Sequence, residues 1–299
     1  MTVPWTDLVD PTREQLLGAV AVRLDPDAIE MLTEPSPGAR GARPLLETHG
    51  GYVLAVLSRP VLTPAGGVGY LEVDVLAAPN ALVTDRKSGA DGGLAPIDGV
   101  AARVDAGGRP GEMVQAIVDD VGDSFLELLD ALYERIDALE SEVERLPGPE
   151  LRRRIADVRH ELLVARRTAS ATRGIARRIL DGRIDVGRSE LFPADVEALF
   201  VETYETLVRA TEELDVARDL LAGVRDYYQA KITEQQNDVA KKLTVIASLV
   251  LVPSLIVGFY GQNFDHAFDD RFWTLGTSTM LIVGSTLAQL AIFRWRRWI

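Results

Sequence analysis

Apolar positions follow three regimes along the chain: short alternating runs before residue 110, steps of three and four beyond it, and two unbroken blocks after residue 243. In the first regime, residues 19–24, 52–57, 70–75 and 81–84 read as strands bounded by Gly, Pro and Asn. The segment "YLEVDVLAAPNALVTD" alternates, breaks at Pro79-Asn80 and resumes, the pattern of a hairpin. The Gly-rich stretches at 88–93 and 106–111 read as loops. Neither has the phosphate-cradling spacing that ends in Lys-Ser/Thr, so nucleotide binding is not expected.

In the second regime Phe125, Leu129, Leu132, Ile136, Leu139, Val143 and Leu146 form one stripe, and "LPGPE" ends it. Ile155, Val158, Leu162, Ala165, Ala169, Thr172, Ala176 and Ile179 form the next. This spacing predicts an antiparallel, coiled-coil-like helix pair. A third helix is predicted from Pro193, placed as a first-turn proline, with a stripe of Leu199, Thr203, Leu207, Ala210, Leu214, Ala217, Leu221, Val224 and Tyr228. No strong breaker follows until Pro253, so the helix runs directly into the first apolar block and spans on the order of 100 Å.

The two blocks change the class of the protein. Bulk composition, 47% hydrophobic, is that of a soluble chain, yet residues 243–264 and 273–293 carry no charge. Each is about as long as the roughly 20 residues a membrane-spanning helix needs. Lys241 and Lys242 precede the first block, Arg294, Arg296 and Arg297 follow the second, and the loop between holds Asp265, Asp269 and Asp270 against Arg271. The positive-inside rule then puts both termini in the cytoplasm, and Trp273, Trp295 and Trp298 suit the interfaces. The amino terminus has no basic start before an apolar stretch, so no signal peptide is expected. A net charge of −13 argues against nucleic acid as a partner, and the absence of cysteine excludes disulfides and thiolate metal sites. His49, His160 and His266 show no ligand spacing, and no nucleophile–base pair suggests an enzyme.

Between the blocks stands "VGFYGQNFDHAFDDRFW". One reading is a helix end, with Gly261 terminating, Asn263 turning and the acids solubilising the loop. The other requires several copies around an axis, so that Asn263 side chains and Gly261 carbonyls ring an outer mouth. Neutral oxygens there would hold a hydrated divalent ion through its water shell, which suits Mg2+ because it dehydrates reluctantly.

"QNDVAKKLTVIASLVLVPSLIVGFYGQNF" resembles the first transmembrane helix of the CorA metal-ion transporters, which carry Gln-Asn-Glu-Val before Leu-Thr, a mid-helix Pro and Tyr-Gly-Met-Asn-Phe at the outer end. The resemblance extends to "LFVETYETL", "LLAGVRDYYQAKITEQQN", the hairpin and the tail "RWRRWI", and so covers essentially the whole chain. It implies a funnel-shaped homopentamer with an α+β cytoplasmic domain, a coiled-coil-like stalk of long helices and two transmembrane helices. The expected division is an α/β domain at 1–110, a helical pair at 111–192, the cytoplasmic stalk at 193–242 and the pore-lining span at 243–262. The external loop then takes 263–272, the second span 273–294 and a basic cytoplasmic tail 295–299. The setting is the inner cell membrane, with lipid, divalent cations and copies of the chain as partners.

The same resemblance implies an outer selectivity mouth at Tyr260, Gly261, Gln262 and Asn263, with Asp265, Asp269 and Asp270 raising local cation concentration. Asn237, Leu243 and Val252 would ring the pore, the last two as a gate. Glu202 and Asp226 would bind regulatory cytoplasmic metal. The signature Met is Gln262 here, Ala240 stands where a bulky Met is common, and Ala267, Phe268, Asp269 and Asp270 replace the Met-Pro-Glu-Leu loop. ZntB-type zinc transporters also change the middle residue, to Val. The expected function is therefore a Mg2+ channel, with Co2+ or Ni2+ as further cargo, gated by cytoplasmic metal. The alternatives are a Zn2+ transporter of the ZntB type and a poorly conducting membrane sensor on the same scaffold. No cofactor is expected; the divalent cation is substrate and regulator.

Overall fold

The computed structural model describes residues 4–20, 22–36, 43–79, 81–89, 92–105, 107–184, 191–261 and 271–298. Its contacts divide the chain into two units, Met1–Arg225 and Asp226–Ile299.

The alternating pattern of the first unit becomes a five-stranded sheet in the order β1-β5-β4-β3-β2. The strands are β1 (Trp5–Val9), β2 (Leu45–His49), β3 (Tyr52–Leu62), β4 (Val68–Ala78) and β5 (Ala81–Lys87). β1 joins β5 in parallel, and the other pairs are antiparallel. The runs at 52–57, 70–75 and 81–84 lie inside β3, β4 and β5, with the chain turning at Pro79 between the last two. The run at 19–24 is not a strand: Ala19 closes helix α1 (Arg13–Ala19), which Thr12 starts with a capping box to Gln15. Helix α2 (Pro26–Thr33) follows. β1, β2 and these two helices have only five to eight residues each, too few for periodicity to declare them.

Leu16, Ala28, Ile29 and Leu32 of α1 and α2 pack with Leu54, Leu76 and Val83 from one face of the sheet. The opposite face meets helix α4 (Pro110–Glu142), where Arg59 Nε donates to Asp120 Oδ2 at 2.9 Å. Helix α3 (Asp98–Asp105) precedes α4, and α5 (Gly148–Leu180) returns along it. Every residue of the α5 stripe is buried, as is the α4 stripe as far as Val143, with Leu146 half-buried past the helix end. Burial of each such Leu, Ile or Phe contributes roughly 1.5–3 kcal/mol, which is why this pair forms despite its many charges.

Helix α6 (Ala194–Gly261) is continuous for 68 residues, with Pro253 inside it. The Pro193 carbonyl accepts from the amides of Val196 and Glu197 at 2.9 Å, so this proline caps the helix from outside rather than occupying its first turn. The buried stripe enters through Val196 and Phe200; Leu199, expected in it, is exposed, and Thr203 through Val224 follow as expected. The second unit consists of the remainder of α6 and helix α7 (Arg271–Trp295). Both carry a segment long and apolar enough to cross a membrane.

Candidate functional site

The second unit holds most of the expected site. Along α6, Val245 is buried and Ser248, Leu249, Val252, Pro253, Ile256 and Tyr260 are half-buried. At about 100° per residue these seven fall on one side of the helix. On α7 the half-buried Ser278, Ile282, Ser285, Thr286, Gln289 and Phe293 likewise form one stripe. These are the two helices of the unit, and the stripes mark the sides covered within it.

Directly opposite the α6 stripe runs a second, exposed line: Ala240, Leu243, Ala247, Val250, Ser254, Val257 and Gly261. Its steps alternate three and four, with a small residue at every seventh position and an aliphatic one between. This is a heptad seam in which the small positions allow close approach of a neighbouring helix or an open lumen. Leu243, Val250 and Val257 are 61%, 62% and 59% exposed, so the seam is unclothed along its length.

Leu243 and Val252 therefore do not share a face. They are nine residues apart, two and a half turns, which places them about 180° apart on a helix that continues unbroken past Pro253. Val252 belongs to the stripe covered within the unit, and Val250 and Ser254 are the seam positions on either side of it. Asn237 is exposed one and two-thirds turns before Leu243, about 120° round the helix. At the far end, half-buried Tyr260 closes the covered stripe and exposed Gly261 closes the seam. Gln262, Asn263, Asp265, His266, Asp269 and Asp270 lie outside the described residues.

The hydroxyls of this region are turned back onto their own helices. Thr244 donates to Ala240 O at 2.9 Å, Ser248 to Val245 O at 3.0 Å, and Ser254 to Val250 O at 2.7 Å. Ser278, Thr279 and Ser285 do the same on α7. Polar groups satisfied within the helix are compatible with an apolar surrounding that offers no water. Each hydroxyl oxygen keeps acceptor capacity, and Ser254 presents it on the seam.

The expected regulatory acids fall in different units. Glu202 is exposed on α6 in the first and Asp226 is exposed at the start of the second. Beside Glu202, Thr203 is buried and donates to Asp119 Oδ1 at 2.6 Å, while Gln115 Nε2 donates to Thr203 Oγ1 at 2.8 Å. Asp119, Asp120, Asp123 and Glu127 follow one another along α4. Burial, then the charges of Asp119, Asp120 and Glu127, raise Asp123 above its ordinary carboxylate value. Asp119 and Asp120 are half-buried and Asp123 and Glu127 exposed, and their spacing crowds them on one side of the helix. Among the described residues no group of three or more His, Cys, Asp or Glu side chains is arranged to hold a metal ion.

The family model of the CorA-like Mg2+ transporter proteins matches residues 2–296 of the chain. A curated relative, the cobalt/magnesium transport protein CorA of Thermotoga maritima, is 25% identical over 193 residues, 64% of this chain and 53% of that protein. The chain thus spans about half the length of the curated relatives it matches. Among solved structures, the complete CorA magnesium transporter of Methanocaldococcus jannaschii superposes with a TM-score of 0.76 at 17% identity, covering 99% of this chain and 91% of that one. The ZntB cytoplasmic domain of Vibrio parahaemolyticus gives a TM-score of 0.58 at 12% identity, over 78% of this chain and 89% of that one.

Proposed function

The chain belongs to the CorA-like Mg2+ transporter family, and from that premise we propose that it conducts divalent cations, Mg2+ first, through a pore lined by copies of α6. The single observation that carries the reading is the seam opposite the stripe covered within the second unit. A helix with one apolar side covered and another exposed has a place for a partner of its own kind. The small-residue heptads fit close helix approach around an axis. On this reading the copies form a homopentamer, both spans lie in the inner membrane, and both termini are cytoplasmic.

Leu243 and Val250 form the apolar constriction in this arrangement, gating by dewetting. Ala247 leaves the lumen wider between them and Ala240 does so on the cytoplasmic side of Leu243, where Asn237 offers an amide at the mouth. Beyond Gly261 the amides of Gln262 and Asn263 receive the ion with its water shell, and Asp265, Asp269 and Asp270 concentrate cations before it. Glu202 and Asp226 bind regulatory metal from the cytoplasm.

A Zn2+ transporter is the second reading, favoured by Gln262 in place of the signature Met. Purified protein in liposomes separates the readings, with Mg2+, Co2+ and Zn2+ fluxes measured with and without a pH gradient. Mg2+ flux independent of the gradient is expected. Zn2+ flux driven by the gradient would move the assignment to the ZntB type, and no flux of any of the three would leave a membrane sensor.

A further inference from the structure

One face of the sheet changes character along its length. Under α1 and α2 it is apolar, through Leu54, Leu76 and Val83. Two residues along from these, the same face carries Asp74 on β4 and Asp85 on β5, and four residues along it carries Ser58 on β3, Glu72 on β4 and Lys87 on β5. All five are buried, none more than 4% exposed. The register sets Glu72 opposite Lys87 and Asp74 opposite Asp85.

Lys87 Nζ is 2.8 Å from Glu72 Oε1 and 3.1 Å from Asp74 Oδ2, and donates to the Met31 carbonyl of α2 at 2.9 Å. Both oxygens of Asp85 and of Asp74, Oε2 of Glu72 and Oγ of Ser58 are left buried without a hydrogen-bond partner, the approach of Lys87 to Asp74 being an ion pair. Three carboxylates against one ammonium would leave two uncompensated negative charges inside a protein, which is costly unless protons neutralise them. Other charges do not supply the balance. Asp10, just past β1, and Asp7 on β1 add repulsion to Asp85, and Asp7 is engaged by Arg86. On α1, Arg13 and Glu14 are exposed, and on α2 Asp27 and Glu30 are exposed. Burial accordingly pushes Asp74 up to about 8 and Asp85 up to about 7, against the pull of Lys87. Burial pulls Lys87 down, but Asp74 and Glu72 outweigh it and leave it raised.

The cluster has a neighbouring way to water. A cavity of about 320 Å3 is walled by Leu32, Thr33 and Glu34 at the end of α2 and by Lys87 and Ser88 at the end of β5. We propose that the cluster is a proton-operated latch: with Asp74 and Asp85 protonated the end of α2 stays seated on the sheet, and with both ionised it lifts to admit water at Lys87. The cross-strand carboxylates then repel in an apolar surrounding, and hydration through this cavity is the relief nearest to hand. The latch is independent of which cation the protein carries.

The sign follows from linkage. Both folded-state values lie above the ordinary value of 3.8, so the seated state binds more protons than the open one. Its advantage is present at low pH, declines as pH rises above the ordinary carboxylate value, and is gone above about 8.

Hydrogen-exchange mass spectrometry on the full chain in lipid nanodiscs, corrected for intrinsic exchange, tests this between about pH 6 and about pH 9. Protection of α2 should fall about tenfold or more over that range while α4 stays protected. In the isosteric Asp74→Asn, Asp85→Asn double variant, α2 protection should be flat. Infrared spectra of the wild type should show protonated-carboxyl C=O intensity lost over the same interval, a readout that needs no variant. Flat α2 protection in the wild type, equal loss in α4, or an unchanged carboxyl signal overturns the latch. So does restoration of α2 protection by Mg2+ at the higher pH, which would make the cluster a cation site instead.

Discussion

In the proposed pore, Asn263 is the residue on which the mouth would depend. A ring of its amides would hydrogen-bond the waters around an arriving ion, and Ala would remove every side-chain oxygen from that ring. Asn263→Ala is expected to reduce liposome flux on the order of tenfold or more, equivalent to about 1.4 kcal/mol of capture, while assembly survives. Gln262→Met should be milder, retaining flux and shifting preference toward Mg2+. Normal conduction by Asn263→Ala would reduce the tripeptide to a turn. The residue types alone mark Gly-Gln-Asn between two apolar blocks as a candidate, either a helix end or a mouth, and the flux assay decides between them. The lining proposed for the pore was less legible: Leu243 and Val252 look equivalent as apolar letters, and only their angular separation on a continuous helix assigns Val252 to the covered stripe.

Among elements, α6 carries two kinds of pattern in one helix. Up to Val224 its stripe is buried with the rest of the first unit; beyond Val245 it presents one covered stripe and one exposed seam. If the seam packs copies together, enlarging a small position should disturb assembly more than changing the covered side by a similar volume. Ala247→Leu overpacks a close approach, at roughly 1–3 kcal/mol per interface, and several interfaces in a ring compound it. Native mass spectrometry in detergent should then find that variant dissociated or reduced in oligomer number, and Val252→Leu largely intact. Equal behaviour of the two would remove the distinction drawn between the faces. The heptad signal was present in the sequence but hidden, since the covered and exposed lines of the span are both apolar.

For the whole molecule, the proposed regulation by cytoplasmic metal turns on two residues. Glu202 and Asp226 are exposed acids on the same long helix, one in each unit. In an oligomer, ions bridging such carboxylates between copies would neutralise repulsion and favour one state of the ring. If these acids bind regulatory metal, replacing both by neutral amides should lessen protease protection by millimolar Mg2+, and unchanged protection would make them surface acids. Asp123, raised by burial and then by Asp119, Asp120 and Glu127, stands among further acids on α4, of which Asp119 accepts from Glu202's neighbour Thr203.

Periodicity by itself determined the long elements: α4, α5, the unbroken α6, the two candidate spans and the three central strands. Repeated burial over many turns leaves a pattern that no short-range exception erases. The short elements, β1, β2, α1 and α2, are held by the core they complete rather than by their own spacing, so they emerged only with the fold. The same holds for the acid cluster on the sheet. Glu72, Asp74, Asp85 and Lys87 read as the polar half of an alternating pair of strands, a face usually turned to water. What the alternation cannot say is whether something covers that face. Here α1 and α2 do, and tertiary structure alone turned four ordinary surface charges into buried ones.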